Sequence, residues 1–422
     1  MRLFILLTVL FFSIANNFAA ETEPPTDWID PDTGHRIIRL SQEPGSESLY
    51  FHQNAFTARG DKLVITTPHG ISTVDLKTHD IDLVVPDSRF ETNQSGMVIG
   101  KRTRQVFYIK RTESNTVAFA TDLDTHATRR VGIVPGTGRG SMLAINADET
   151  LLAGSFVETL SEREKSTAAY RALAKQPSES KGAWMQKRVQ AKVPMQLFTL
   201  DVKTGKARTF HKSTDWLNHV QMSPTDPSLI LFCHEGPWHL VDRTWLIRSN
   251  GRGLTKVHPR TMQMEIAGHE FFSADGKTVW YDLQTPRGED FWLAGYEVET
   301  GARIWYHLQR DEWSVHYNVS PDGKLFAGDG GHEGSVAKAR DGKWIYLFRP
   351  ELVRAANGPQ PEFKNLITPG VFHSERLVNM KNHDYKLEPN VNFTPDGKWI
   401  VFRSNMFGAP QVFAVEVAKA NP

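Results

Sequence analysis

A short phrase recurs along this chain: an apolar strand, a tight turn of the Ser/Thr-Pro-Asp-Gly type, and a second apolar strand. The clearest copies are His269–Trp280, Tyr317–Phe326 and Pro389–Phe402, and weaker copies begin at Asn54, Met97, Met142 and Val220. Each copy predicts a β-hairpin, because the turn residues allow the chain to reverse tightly between two apolar strands. Further strands that end in a Gly turn follow the hairpins, as in Leu197–Lys206 and Tyr296–Ala302.

Repetition of a four-strand unit at roughly 40 to 50 residues is typical of a β-propeller. The seven copies therefore predict an all-β fold, a seven-bladed β-propeller that forms one domain over residues 25–422. The stretch Glu158–Val193 is rich in Glu, Lys, Arg, Ala and Gln, and it predicts a helical insertion in the middle of the chain. A second insertion, Pro350–Glu388, predicts a long functional loop, because it leads into the first strand of the last blade.

Composition limits the partners and the compartment. The chain is 40% hydrophobic and 23% charged with a formal net charge of +1, so no strong field directs it to nucleic acid or to a membrane. Met1–Ala20 has the charged, apolar and small-residue regions of a secretory signal peptide, and its apolar run is too short to span a membrane. The single cysteine, Cys233, excludes an intramolecular disulfide. We therefore expect a periplasmic or secreted bacterial protein.

Polar residues recur at one level of the predicted channel. The first strand of each blade lines the channel of a propeller, so residues four positions before the turn Ser or Thr lie together at its mouth. This alignment defines the channel-mouth set: Gln53, His219, His269, His316 and Asn390, with His52 and Glu388 close by. A single histidine there would be read as structural. Three histidines at one level predict a shared metal or catalytic site.

Three of these residues are candidate ligands of one metal ion. His316, Glu388 and Asn390 come from adjacent blades, and Glu388 and Asn390 share one face of an extended strand. Imidazole, carboxylate and amide ligands suit a divalent ion such as Mn²⁺, Zn²⁺ or Ca²⁺. His383 and Asp384 are alternative ligands nearby.

The segment Phe232–Leu246 resembles the most recognisable stretch of oligogalacturonate lyases, which are seven-bladed propellers that cleave short pectin fragments. His269–Phe271, Gly328–Gly330 and Asp30–Leu40 resemble the same family, so the resemblance covers nearly all of the chain after the first residues. It implies a Mn²⁺-assisted β-elimination with a histidine as general base and an arginine beside it. Matched by motif, the base is His269, the arginine is Arg243, and His316 is a metal ligand.

The chain departs from that family where a His-Pro-His phrase supplies two metal ligands. It has Glu388-Pro389-Asn390 instead, and Tyr385 stands roughly in the place of a glutamine ligand. A carboxylate and an amide are harder ligands than two imidazoles, so they favour Ca²⁺ or Mg²⁺ more than the family pattern does. The residues that we assign to substrate binding are His219, His234, His373, Gln53 and Tyr385.

Three functions remain open. The first is a lyase that shortens oligogalacturonides from the chain end, in which neutral His269 removes the C5 proton while a cation and Arg243 neutralise the uronate carboxylate. The second is a lyase with the same residues that acts on another uronate-containing oligosaccharide. The third is a non-enzymatic periplasmic binding propeller, against which the histidines at the channel mouth argue. The structural alternative for Arg243 is a salt bridge with Asp242 or a neighbour between blades.

Overall fold

The computed structural model describes residues 24–88, 96–113, 115–136, 143–158, 175–341, 343–354 and 366–420. Over these residues the strands form seven antiparallel blades, two of which join edge to edge into one sheet of eight strands. The repeated hairpin phrase therefore predicted the blade count and the all-β class correctly. The predicted signal peptide, Met1–Ala20, lies outside the described residues. We find no described helix with the length and apolar character that crossing a membrane requires.

The strands follow the chain blade by blade. The first two strands, β1 (Asp27–Ile29) and β2 (His35–Arg39), belong to blade 7. Blade 1 contains β3 (Glu47–Ser48), β4 (Lys62–Thr67), β5 (Gly70–Asp75) and β6 (Ile81–Pro86), and blade 2 contains β7 (Met97–Ile99), β8 (Gln105–Arg111), β9 (Thr116–Asp122) and β10 (Thr128–Val134). Blade 3 contains β11 (Ala144–Ile145), β12 (Leu151–Val157), β13 (Met195–Asp201) and β14 (Ala207–Ser213), and blade 4 contains β15 (Trp216–Met222), β16 (Leu229–Glu235), β17 (Thr244–Arg248) and β18 (Thr255–Lys256).

The remaining blades complete the circle. Blade 5 contains β19 (Ile266–Phe272), β20 (Thr278–Gln284), β21 (Phe291–Glu297) and β22 (Arg303–Leu308), and blade 6 contains β23 (Tyr317–Val319), β24 (Phe326–Gly328), β25 (Trp344–Leu352) and β26 (Thr368–Asn379). Blade 7 contains β27 (Asn392–Phe393), β28 (Trp399–Ser404) and β29 (Gln411–Lys419). Among the residues that the structure describes, short 3₁₀ helices cover Trp238–Leu240 and Arg310–Glu312, and one α-helix, α1, covers Lys181–Gln190.

The N-terminal strands close the propeller. Strand β2 pairs with β29, with Ile37 opposite Val415 and Ile38 opposite Ala414, and β1 then pairs with β2. Both ends of the described chain are therefore held in the same blade. This pairing gives blade 7 the backbone hydrogen bonds that an edge strand would otherwise lack.

Apolar side chains fill the spaces between blades. In one buried cluster, Leu63 of blade 1 packs with Val106 of blade 2 and Val401 of blade 7. Burial of one such side chain contributes about 1.5–3 kcal/mol, so the propeller is held together mainly by contacts between neighbouring blades. We therefore expect the scaffold of the channel mouth to fold through this packing alone.

The inner strands surround a central channel. A cavity of about 380 Å³ is lined by residues from every blade. Side-chain amides connect the inner strands around it: Gln53 Nε2 donates to the carbonyl of Met97 at 2.8 Å, and Gln221 Nε2 donates to the carbonyl of Glu270 at 2.7 Å. These bonds fix the position of one blade relative to the next, just below the channel mouth.

The helical insertion is confirmed over its described part. Helix α1 begins after Ser180, whose side chain accepts a hydrogen bond from the backbone N–H of Ala183. It packs on blade 4, where the guanidinium of Arg188 lies 4.0 Å above the ring of Trp216, and Trp184 meets the same ring edge to face at 5.0 Å. Residues 159–174 of the predicted insertion lie outside the described part of the chain.

The prediction of a long loop over Pro350–Glu388 is wrong. Strand β25 continues to Leu352, and β26 occupies Thr368–Asn379, so much of the segment is sheet. Strand β26 pairs antiparallel with β25 and also parallel with β22, which joins blade 6 to blade 5. Prolines and polar residues suggested a loop, but pairing with a strand from another blade decides the conformation.

Candidate functional site

Three residues of the channel-mouth set share an unusual backbone conformation. His219, His269 and Asn390 have positive φ angles of 44°, 45° and 56°. In blades 4 and 5 the strand register shifts at this position, between Asn218 and Gln221 and between Gly268 and Phe271. A β-bulge of this kind redirects a side chain, and holding a non-glycine residue in the left-handed region costs of order 1–3 kcal/mol. The same costly conformation in three blades indicates a functional site.

His269 is held by a buried carboxylate. Its Nδ1 donates to Asp282 Oδ1 at 2.9 Å, and its ring meets the ring of Trp238 edge to face at 5.1 Å. Burial alone would lower the pKa of His269, but the charge of Asp282 and the hydrogen bond to it together outweigh burial and raise the pKa above its ordinary value of 6.5. With Nδ1 donating to the carboxylate, Nε2 carries the lone pair that can accept a proton.

His316 is fully buried and bound on both sides of its ring. Its Nδ1 donates to Asp329 Oδ2 at 2.8 Å, and its Nε2 accepts from the hydroxyl of Tyr50 at 3.2 Å. Glu388 Oε2 lies 3.8 Å from the same Nε2, and the ring stacks on Phe51 at 4.6 Å. His316 therefore presents Nε2 toward a hydroxyl and a carboxylate.

This arrangement fits a divalent cation. Metal-ligating histidines almost always donate their second ring nitrogen to a carboxylate or carbonyl, as His316 does to Asp329. Two ligand atoms about 2.1 Å from one ion lie roughly 3–3.5 Å apart, so a small approach from 3.8 Å allows His316 and Glu388 to share an ion. Burial would raise the pKa of Glu388, but His316, His269, Arg403 and Lys181 together outweigh burial and lower that pKa, which favours the ionised carboxylate.

The amides of the channel-mouth set bind backbone groups. Asn390 Oδ1 accepts from the N–H of Phe51 at 3.3 Å, and its Nδ2 donates to the carbonyl of Glu388 at 3.1 Å. Gln53 Nε2 donates to Met97, as described above, and its Oε1 accepts from the N–H of Tyr50 at 3.2 Å. The amide of Asn390 thus holds the backbone of the candidate ligand Glu388, and one lone pair of its oxygen remains for an ion.

A segment of blade 1, Tyr50–Gln53, crosses the channel mouth. The ring of Tyr50 lies 5.1 Å from that of His316 in blade 6 and 5.9 Å from that of His219 in blade 4. The ring of Phe51 lies 5.7 Å from that of Phe271 in blade 5. Phe51, His52 and Gln53 of this segment also line the central cavity, and the Tyr50 hydroxyl lies beside His316.

Arg243 is buried between two carboxylates. Its Nε donates to Glu270 Oε2 at 3.0 Å and its Nη1 donates to Glu235 Oε1 at 2.8 Å, with 2% of the residue exposed. Asp242, which we named as a possible partner, instead binds Lys256 and Arg260. Arg243 therefore joins blade 4 to blade 5, and its guanidinium lies 5.2 Å from the centre of the Trp238 ring, which also contacts His269.

A second group of possible metal ligands lies beside Arg243. Within the described ranges, His219, Cys233 and Glu235 place their ligand atoms within 4.8 Å of one another. However, the guanidinium of Arg243 binds Glu235 at 2.8 Å and would repel a cation there. Burial also raises the pKa of the Cys233 thiol well above its ordinary value, which opposes formation of a thiolate. His316 and Glu388 are the better-suited pair.

Of the other residues predicted to bind substrate, some lie in the site and some lie away from it. His219 lies in the site, with Nε2 3.3 Å from Glu235 Oε2. His234 is neutral, since burial lowers its pKa to about 4, and its ring lies 5.0 Å from that of Trp245. His373 is on the exposed part of β26, where its Nε2 lies 2.6 Å from Glu351 Oε2. The described contacts of His373 do not join it to the channel mouth.

Residues near the predicted cage have structural partners. The Tyr385 hydroxyl donates to the carbonyl of Asp329 at 3.0 Å, so it supports the residue that binds His316. Both ring nitrogens of His383 are engaged, by Ser404 Oγ at 2.9 Å and the carbonyl of Leu387 at 2.7 Å. Asp384 is exposed and faces Lys386 at 3.6 Å. His383 and Asp384 are therefore less suited to hold an ion than Glu388.

Several site residues escaped the analysis of the sequence: Tyr50, Glu235, Glu270, Asp282 and Asp329. A signal existed for the acids, because Asp282 interrupts the otherwise largely apolar β20 and Asp329 lies between two glycines. A carboxylate in the middle of a buried strand is costly unless it has a partner, so each could have been assigned to a nearby histidine or arginine.

The chain was compared with known proteins. A family model described as oligogalacturonate lyase matches residues 26–421. The oligogalacturonate lyase of Dickeya dadantii is 24% identical over 402 residues, and the oligogalacturonide lyase of Pectobacterium atrosepticum is 25% identical over 407 residues; each match covers 92% of this chain and 95% of the relative.

Two solved structures of oligogalacturonate lyases have a similar fold. A structure described as oligogalacturonate lyase in complex with manganese matches with a TM-score of 0.72 at 24% identity, and the match covers 93% of this chain and 96% of that one. An oligogalacturonate lyase from Vibrio parahaemolyticus matches with a TM-score of 0.72 at 22% identity and the same coverage.

Proposed function

This chain belongs to the oligogalacturonate lyase family of carbon–oxygen lyases, and from that premise we propose that it cleaves short oligogalacturonides by metal-assisted β-elimination. The observation that carries the proposal is the position of His269. Its Nδ1 is bound to Asp282 at 2.9 Å, and its ring lies 4.8 Å from that of His316. A proton acceptor and a candidate metal ligand therefore lie side by side.

The elimination breaks the C5–H and C4–O bonds and forms a C4–C5 double bond, and no water is added. The C5–H bond breaks and its proton passes to His269 Nε2, while the electron pair forms the C4–C5 double bond. The C4–O bond breaks, and the departing oxygen takes a proton from solvent. Negative charge develops at C5, beside a carboxylate that is already negative, so the barrier is largely electrostatic.

Two groups are suited to that charge. A divalent ion held by His316 and Glu388, with the Asn390 oxygen as a further ligand, would supply positive charge at the uronate carboxylate. The likeness to a structure in complex with manganese supports manganese as the ion, while the oxygen ligands of this chain also suit Ca²⁺ or Mg²⁺. Arg243, bound through Nε and Nη1, has remaining N–H groups for the substrate carboxylate or the departing oxygen.

A direct assay tests this proposal. The purified protein is incubated with digalacturonate and with trigalacturonate, with and without a chelator, and the ultraviolet absorbance of the unsaturated product is followed. We expect absorbance to rise, to stop rising with chelator, and to recover when a divalent ion is added back. Binding of both sugars with no rise in absorbance under any of these conditions would instead support a binding propeller.

A second candidate substrate class is another uronate-containing oligosaccharide. It is favoured by one observation, the replacement of the family's His-Pro-His phrase by Glu388-Pro389-Asn390. The same assay with a panel of uronate oligosaccharides distinguishes the two. If the galacturonides are turned over at least ~10-fold faster than the other uronate oligosaccharides, they are the substrates. That ratio corresponds to about 1.4 kcal/mol in activation free energy.

We also propose that the protein acts in the periplasm or outside the cell, because Met1–Ala20 has the composition of a secretory signal. N-terminal sequencing of the protein recovered from the periplasmic fraction tests this. A mature chain that begins near Glu21 is expected, and recovery of uncleaved protein in the cytoplasm alone would contradict it.

A further inference from the structure

A buried carboxylate stands in the middle of strand β20. Asp282 is 1% exposed and lies between the buried residues Tyr281 and Leu283. Its Oδ1 accepts from His269 at 2.9 Å, and its Oδ2 has no hydrogen-bond partner among the described residues. A buried carboxylate with half of its acceptors unused is destabilising. A requirement of the fold alone therefore does not explain this residue.

The local backbone is arranged around the same contact. Gly268 is the cross-strand partner of Asp282, and the register shifts immediately afterward, so His269 lies in the bulge. A Cβ at position 268 would come within 3.0 Å of Asp282 Oδ1. A glycine at position 268 therefore leaves space for the carboxylate, and the bulge brings the imidazole to it. The contact therefore depends on three features together: the carboxylate of Asp282, the glycine at position 268 and the bulge at His269.

We infer that Asp282 is a positioning residue, which holds His269 in the tautomer that has its proton on Nδ1 and its lone pair on Nε2. This inference rests on the proposed function and deepens it, since it assigns a residue that makes His269 competent as a base. A carboxylate can only accept hydrogen bonds, so Nδ1 must donate to it. In the other tautomer, Nε2 would carry a proton and could not accept the one from C5.

The test uses Asp282→Asn, which keeps the shape of the side chain but allows it to donate to Nδ1. That donation selects the wrong tautomer. We expect kcat on trigalacturonate to fall on the order of 10²–10⁴-fold with KM nearly unchanged, as for other histidine bases that lose an oriented carboxylate. Asp275→Asn, on the turn of the same hairpin and away from His269, is the matched control and keeps wild-type turnover.

A double-mutant cycle separates positioning from structure. If Asp282 acts through His269, then Asp282→Asn has no further effect on turnover in the His269→Ala background. A merely structural role predicts that the same loss persists there. Thermal unfolding of each variant shows whether it is folded.

The tautomer itself is measured by ¹⁵N NMR of histidine-labelled protein, at a pH where His269 is neutral. We expect a protonated Nδ1 in the wild type and a protonated Nε2 in Asp282→Asn. A protonated Nε2 in the wild type, or wild-type kcat in the variant, would overturn the inference. If the wild type cleaves no uronate oligosaccharide, the proposed function fails, while the NMR result still decides whether Asp282 sets the tautomer.

Discussion

The rings of His269 and His316 meet edge to face, with their centroids 4.8 Å apart. Each histidine donates its Nδ1 to a buried aspartate of its own blade: Asp282 on β20 in blade 5, and Asp329 directly after β24 in blade 6. The two Nε2 atoms therefore retain their lone pairs. In the proposed function, the lone pair of His269 accepts a proton and that of His316 binds an ion, so two neighbouring blades use the same hydrogen bond for different tasks.

Replacement of the base should abolish most of the activity. His269→Ala is expected to lower kcat on the order of 10²-fold or more, because the variant loses the Nε2 that accepts the proton, while KM changes little. Steady-state kinetics on trigalacturonate measures this. His69→Ala, an exposed histidine in blade 1, is the matched control. Near-normal turnover in His269→Ala would exclude it as the base, and His219 would be the next residue to test.

The pH dependence of activity should follow His269. The pKa of His269 is raised from its ordinary value, because the charge of Asp282 and the hydrogen bond to it together outweigh burial, and only the neutral ring accepts a proton. Activity should therefore rise with pH as the ring loses its proton. A profile of kcat/KM against pH measures this, with metal content checked at each pH. A rate that does not change with pH, or that falls as the ring loses its proton, would contradict the assignment.

The same pair should affect stability with a defined sign. Because the folded pKa of His269 is raised, its ion pair with Asp282 stabilises the folded state fully below about 6.5 and loses that effect as pH rises through the raised pKa. The wild type should therefore be more stable than His269→Ala by an amount that decreases as pH rises from about 6.5 through the raised pKa of His269. Denaturant unfolding at several pH values measures it, and a difference that grows with pH would refute the pairing.

Metal and activity should be lost together when the cage is changed. His316→Ala and Glu388→Gln should each weaken metal binding by at least ~10-fold, because each removes one ligand, and both should remain folded. Elemental analysis after dialysis measures bound metal. Asp384→Asn, an exposed carboxylate nearby, should retain it. If both His316→Ala and Glu388→Gln keep their full metal content, these residues are not the ligands. If Asp384→Asn loses metal, Asp384 is the ligand instead.

Charge alone should not replace Arg243. Arg243→Lys keeps the positive charge but cannot bind Glu235 and Glu270 at once with a planar fork. We expect turnover to fall at least ~10²-fold, and stability to fall by up to about 3–5 kcal/mol, the usual cost of breaking a buried ion pair. Arg248→Lys, at an exposed pair, is the matched control. Wild-type kinetics and unfolding in Arg243→Lys would show that the fork is not required.

The sequence predicted the parts of this fold that local chemistry controls. The hairpin turns specify blades directly, and the bulge recurs at a fixed distance from them, so alignment on the turn placed His219, His269 and Asn390 at one level. Helix α1 was likewise predictable from composition, since its residues favour helix wherever they lie.

The remaining contacts depend on pairings between distant residues. The hydrogen bond from Tyr50 to His316 joins positions 266 residues apart, and it requires the chain to cross the finished channel. Asp282 meets His269 only through the register of β20 against β19. The pairing of β26 with β22 joins two blades, so local residues predicted a loop where the assembled molecule forms a strand.

The most direct measurement of the central claim is the mass and structure of the products from trigalacturonate. Elimination adds no water, so the product masses should sum to that of the substrate, and NMR should show a C4–C5 double bond in one fragment. Saturated fragments that together gain the mass of one water would mean hydrolysis, and would contradict the β-elimination that we assign to His269.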